Sequence, residues 1–126
     1  MQVYMLQAAL ICDHCASEFM AHTPKPDHVV YFPNLNEYDE STYDSDEWPK
    51  GPYPDGGGEA DTPQHCDHCG VFLENSLTLD GDEYVREQAK PFETAPDMSW
   101  DEIAQAAEEA GHQAIGDWIR FYFTWG

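Results

Sequence analysis

The residues best suited to chemistry are four cysteines, and all four sit in two identical tetrapeptides, Cys12-Asp13-His14-Cys15 and Cys66-Asp67-His68-Cys69. Two residues between paired thiols let a tight turn bring both sulfurs to one side. Two such turns supply a tetrahedral set of four thiolates, and Zn–S bonds of about 2.3 Å suit that set. Gly70 follows the second pair, where a knuckle turn calls for positive φ and a close approach of backbone amides to the sulfurs. Ala16 follows the first pair, so that turn is expected to be less regular. The spacing predicts a structural Zn²⁺ on Cys12, Cys15, Cys66 and Cys69. Iron takes the same four-thiolate set and stays open as an alternative. Two disulfides fit less well, because no secretory signal is visible and cytosolic thiols stay reduced. Thioredoxin-like chemistry uses one C-x-x-C in a βαβ setting rather than two. Four thiolates leave no open position for water, which argues against a catalytic metal.

The histidines are secondary. His14 and His68 occupy matching places inside the tetrapeptides, and His65 precedes Cys66. They are read as exposed or packed beside the metal cluster, and as the nearest substitutes were one cysteine not a ligand. His22, His28 and His112 are scattered. There is no G-x-x-x-x-G-K-[ST], no H-E-x-x-H and no persuasive Ser/His/Asp order, so the chain is read as non-enzymatic.

The elements that must position the cysteines can be sketched from pattern. Residues 2–11 are almost continuously apolar and run into Cys12, which suggests a buried strand. Residues 16–23 suit one helical turn. From 24 to 64 the composition changes: seven of the nine prolines lie here, with Gly56-Gly57-Gly58 and ten acids against two lysines. That composition reads as loop, with one strand-like island at Val29–Phe32 that stops at Pro33. Val71-Phe72-Leu73 suggests a short strand. A helix over 81–90 is expected, capped by Asp80 and closed by Pro91. Ser99 and Glu102 have capping-box spacing ahead of a run to Ala110, and Gly111 suits its C′ position. A last helix over 113–123 puts Ile115, Trp118, Ile119, Tyr122 and Phe123 on one face. Together with Trp125, this aromatic end is expected to pack back on the strand at 2–11, with helix 100–110 beside it.

At 126 residues the chain suits one domain, 1–126, with 16–65 as a long acidic Pro/Gly-rich insertion and 99–126 as a C-terminal helical segment. The fold class expected is α+β: a small zinc-ribbon-like domain with two C-x-x-C knuckles, short strands, a long acidic loop and C-terminal helices. Zinc would clamp the N-terminal strand to the middle of the chain, and such binding can supply on the order of 10 kcal/mol.

Charge narrows the partners. There are 25 acids and 5 bases, for a formal charge of −20. Phosphates must be met by Lys and Arg, so direct nucleic-acid binding is not expected. No run of 18 apolar residues exists and the apolar N-terminus lacks a basic region, so a soluble cytoplasmic protein without membrane contact is expected. Aromatic residues reach 13%, too many for a fully disordered acidic chain. Within the loop, Tyr31, Tyr38, Tyr43, Trp48 and Tyr53 stand among the acids. Rings and carboxylates together suit an Arg- or Lys-rich surface, and Asp39, Glu40, Asp44, Asp46, Glu47 and Trp48 are the partner-binding candidates. A plainer use of some of these rings is to fold over the small core and hold the loop down. Solvation, a high-salt cytoplasm and Ca²⁺ or Mg²⁺ binding are other uses of the acids. No D-x-[DN]-x-[DN]-G loop supports the last, and the abundant large aromatics weigh against a halophile.

The run Cys66-Asp67-His68-Cys69-Gly70-Val71-Phe72-Leu73-Glu74-Asn75-Ser76-Leu77-Thr78, continuing to Tyr84-Val85-Arg86-Glu87, resembles small uncharacterised zinc-knuckle proteins of bacteria, phages and mobile elements. The resemblance implies a zinc module more than a particular function. The wider zinc-ribbon class includes nucleic-acid binders, but this chain lacks their basic stripe. The expected function is that of a non-enzymatic interaction protein binding a basic protein surface. Its sharpest form is a phage or mobile-element inhibitor that mimics nucleic acid against a nucleic-acid-binding protein. The alternative is an accessory zinc-ribbon protein that docks into a transcription or other multi-subunit assembly through its aromatic C-terminus.

Overall fold

The apolar run at 2–11 is not one strand but a hairpin. In the computed structural model, which describes residues 1–32 and 37–124, β1 (Val3–Leu6) turns at Gln7-Ala8 and returns as β2 (Ala9–Cys12). Val3 pairs with Cys12 and Leu6 with Ala9. Gln7 and Ala8 have φ of 53° and 62°, as a two-residue type I′ turn requires. Such turns favour Asn-Gly, so Gln-Ala gave no warning of one. The Gln7 amide is held instead by the Ser45 carbonyl at 2.8 Å. β5 (Lys50–Tyr53) pairs antiparallel with the other edge of β1, giving the order β2-β1-β5. The stretch read as loop therefore supplies a strand of the main sheet.

The chain forms two compact units, one of residues 1–58 with 65–73, the other of residues 59–64 with 74 onward. In the first, α1 (Asp13–His22) follows β2 directly and is longer than the single turn expected. Val3, Leu6, Ile11, Cys12, Ala16, Cys66 and Leu73 form its core, with Phe19 and Met20 of α1 packed against them. β3 (Val30–Phe32) pairs with β4 (Glu37–Asp39) in a separate two-stranded sheet, with Tyr31 opposite Tyr38. Val29, Tyr43 and Trp48 are buried together, again against Phe19 and Met20. The Tyr43 hydroxyl donates to the Pro49 carbonyl at 3.0 Å, and burial pushes its pKa up. The plainer use of the rings thus applies to Tyr43 and Trp48, which tie the acidic stretch to α1.

In the second unit, α2 (Leu79–Ala89) starts two residues before the expected position. Thr78, not Asp80, is its cap: the Thr78 hydroxyl accepts from the Gly81 amide at 3.1 Å, leaving Asp80 in the first turn. α3 (Trp100–Glu109) has the expected capping box, with Ser99 and Glu102 exchanging hydrogen bonds. Its end is a full Schellman motif. Gly111 has φ 91°, its amide donates to Glu108, and the His112 amide donates back to Ala107. α4 (Gln113–Phe123) follows with the expected bounds. Ile103, Ala104 and Ile119 are buried with Ala89, and Trp100 and Phe123 stack at 4.5 Å beside them. Within this unit the apolar face of α4 is met by α2 and α3. Trp125 lies outside the described residues. Asn75, fully buried, accepts from the Gln64 amide and donates to the Thr62 and Ser76 carbonyls.

Arg120 on α4 bridges Glu108 at 2.8 Å and Asp101 at 3.1 Å, both on α3. Its hydrogen bonds hold the Glu108 carboxyl below the ordinary range. A carboxylate lowered in this way stabilises the fold above its unfolded pKa, and the contribution disappears as pH falls through the lowered folded value. Glu108→Gln should therefore melt below the parent at neutral pH, with the gap closing as acid is added. A gap that stays constant from neutral to strongly acidic pH would contradict this role. No helix among the described residues is long and apolar enough to cross a membrane.

Candidate metal centre

Cys12 ends β2 and caps α1. Its extended φ/ψ of −70°/163° turns the chain into the helix, and its Sγ accepts the Cys15 amide at 3.4 Å. The first knuckle is thus a helix N-terminus, where amides and the helix dipole favour thiolate. Ala16, a good helix former and fully buried, lets the chain continue as α1 rather than turn as it does at Gly70.

The second knuckle is a tight turn. The Gly70 amide donates to the Cys66 carbonyl at 2.9 Å and the Cys66 amide to the Val71 carbonyl at 2.8 Å. Gly70 has φ 81°, as the spacing predicted. The Cys69 amide approaches Cys66 Sγ at 3.5 Å, repeating the contact of the first knuckle. Val71–Leu73, expected as a strand, provides only a bridge between Phe72 and His65. The Asp67 amide donates to the Leu10 carbonyl at 2.9 Å and so fastens this knuckle to β2.

The four sulfurs lie within 4.8 Å of one another. Cys12 Sγ and Cys69 Sγ are 3.7 Å apart, far longer than a disulfide bond and close to the ~3.8 Å edge of a tetrahedron with 2.3 Å bonds. This group can hold a metal ion, and it consists of the four cysteines that the spacing singled out. Cys12 and Cys66 are buried, Cys15 is half-buried and Cys69 is exposed. Burial pushes the Cys12 and Cys15 thiols up. Burial also opposes ionisation at Cys66, but the amides of Cys12, Cys69 and His68 outweigh it and draw its pKa down to about 6. A site with one thiol already favouring thiolate is prepared for a cation. His65 is not in the group. Its Nδ1 lies 2.8 Å from the Gly70 carbonyl and its ring rests on Phe72.

The partner-binding candidates divide. Asp39 accepts from the amide and hydroxyl of Ser41, capping the 3₁₀ turn Glu40–Thr42. Glu40 accepts the Tyr53 hydroxyl at 2.7 Å. Glu47 meets His28 at 2.6 Å, and this hydrogen bond holds its carboxyl below the usual range. Asp44 and Asp46 are exposed. Trp48 is 2% exposed and packs with Val29 and Tyr43, so the indole expected to meet a partner is buried instead. Its position among the acids of the 24–64 stretch carried no signal separating the two uses; only the approach of Phe19 and Tyr38, both 5.9 Å away, decides it. Compared with protein-family models, curated proteins and solved structures, the chain matches none of them.

Proposed function

We propose that this is a non-enzymatic, zinc-dependent interaction protein whose acidic surface binds a basic protein partner in the cytoplasm. The observation that carries the reading is the charge, 25 acids against 5 bases, on a chain whose acidic stretch is anchored by buried Tyr43 and Trp48. An anchored array of carboxylates loses less entropy on binding than a floating one. Four thiolates on Zn²⁺ give a closed structural site with no position for substrate. The sharper form is mimicry of nucleic acid, which would place the carboxylates where a basic protein expects phosphates. Zinc-ribbon-like docking through the C-terminus has less support, since Ile119 and Phe123 are occupied within their own unit.

The test is capture of basic proteins at graded salt, with nucleic acid as competitor. Replacing Asp39, Glu40, Asp44, Asp46 and Glu47 by Asn or Gln should weaken capture and flatten its salt dependence. Because Asp39 and Glu40 also make internal hydrogen bonds, Asp44→Asn with Asp46→Asn serves as the milder variant and should shift the elution salt in the same direction. Unchanged affinity in a folded five-site variant would reduce these acids to solvation. Simultaneous binding of nucleic acid and this protein at one site would exclude mimicry.

A further inference from the structure

The two-stranded sheet of β3 and β4 has an open edge. The Thr42 hydroxyl lies between the Val30 amide, at 3.3 Å, and the Asp39 carbonyl, at 2.6 Å. Those groups therefore meet on the edge that the two strands share. Tyr31 and Tyr38 are then a non-hydrogen-bonded pair, the kind whose side chains stand closest. Their rings are 4.2 Å apart, and the Tyr31 hydroxyl donates to Tyr38 at 3.1 Å. Alternation along the strand turns the Tyr31 N–H and C=O away from β4, and among the described residues no strand takes that edge. Tyr38 packs edge-on against Tyr43 and Trp48, so Val30 and Phe32 project to the opposite face, 48% and 38% exposed. Tyr31 is 49% exposed. No other three consecutive large apolar side chains among the described residues are this exposed, and such a patch marks an interaction surface.

We propose that the open edge of β3 is where a basic protein partner docks, adding an extended segment in which an arginine stands between two apolar residues. This rests on the reading of the protein as a binder of basic surfaces and gives that contact a place and a form. The Tyr31 N–H and C=O offer main-chain hydrogen bonds to an added strand. The residue opposite Tyr31 shares its face, where a guanidinium can stack on the half-exposed ring. The residues on either side stand beside Val30 and Phe32 and cover them. The Val29 amide and carbonyl are already engaged by Pro26 and Lys25, so the added ladder starts at Tyr31. Charge selects the occupant. The unit of residues 1–58 and 65–73 holds eleven acids and no arginine. Its two lysines are turned to their own chain: Lys25 Nζ donates to the Val29 carbonyl at 2.6 Å, and Lys50 Nζ lies 5.5 Å from the centre of the Tyr43 ring. A second copy as occupant would bring together two chains of formal charge −20.

The experiment titrates a capped five-residue peptide of alternating valine and arginine, with valine at both ends, into the full zinc-loaded chain, followed by NMR and amide exchange. Saturable binding is expected, with the Tyr31 amide exchanging at least about tenfold more slowly in the bound form. The Val30→Thr/Phe32→Thr double variant keeps the charge and should weaken binding about fivefold or more. Leu79→Thr, at a 91% exposed apolar residue of the other unit, should leave it unchanged. Lysine in place of arginine in the peptide should weaken it about threefold. An unprotected Tyr31 amide at saturation, equal affinity in the folded double variant, or equal binding of a valine–glutamate peptide would each overturn the proposal. So would a dimer of the free protein that the double variant breaks, since that assigns the face to a second copy. Failure of the edge is distinguishable from failure of the broader reading, because Asp44→Asn with Asp46→Asn still weakens capture of basic proteins when only the edge is wrong.

Discussion

Cys66→Ser is expected to release the metal and unfold the unit built on residues 1–58 and 65–73. Cys66 is 3% exposed and belongs to the same buried cluster as Val3, Leu6, Ile11 and Leu73. Its sulfur receives the Cys69 amide, and amide hydrogen bonds lower its thiol pKa. Replacing it removes one of the four thiols, the one that is buried beside Cys12. Binding of Zn²⁺ to such a set is worth on the order of 10 kcal/mol, comparable to the whole stability of a small domain. Elemental analysis should find one zinc per parent chain and a deficit in the variant. The variant should also lose its cooperative thermal transition and the near-ultraviolet signal of Trp48. A metal-free variant that stays folded, or a parent purified without chelator that carries no metal, would remove the basis for a structural centre.

Ile119→Ala should be the most damaging single change in the helical unit. Ile119 is fully buried and packs with Ala89, Ile103 and Ala104, so its side chain lies where α2, α3 and α4 meet. The neighbours include two alanines, which offer little side chain to move into the space. Large-to-small changes at such positions cost about 2–5 kcal/mol, and for a chain of this size that lowers Tm by roughly 10 °C or more. Trp118→Ala, which the aromatic pattern alone would rank first, removes a half-buried residue and should cost less. Calorimetry on the two variants orders them; a larger drop for Trp118→Ala would mean that the α4 face is organised around its aromatic ring rather than around Ile119.

The parts of this protein legible in the sequence are those with local causes. The four-cysteine group was readable because C-x-x-C spacing constrains a turn, and a turn needs nothing from the rest of the chain. Gly70 followed for the same reason, as did the Ser99–Glu102 box and the Gly111 end of α3, each satisfying backbone groups within one helical turn. The bounds of α4 came from a strong 3.6-residue period. Cap choice at α2 was harder, because Thr78 and Asp80 are both good caps and lie two residues apart.

What depended on distant segments was not legible. Gln7-Ala8 turns because the Ser45 carbonyl holds its amide and β5 covers the free edge of β1. β5 itself, Lys50-Gly51-Pro52-Tyr53, has the composition of a loop and becomes a strand only because β1 offers it a ladder. Trp48 could serve a partner or a core until Val29, Tyr43 and Phe19 closed around it. Apolar periodicity showed that α4 must be covered and placed helix 100–110 beside it, but not that α2 would join them, since hydrophobic burial is non-directional and accepts any apolar surface that the chain can bring near. The sequence by itself determined which four atoms could take a cation and where α3 and α4 begin and end. Tertiary structure decided which strands pair and which rings are buried, because those choices are settled by competition among distant segments for the same surface.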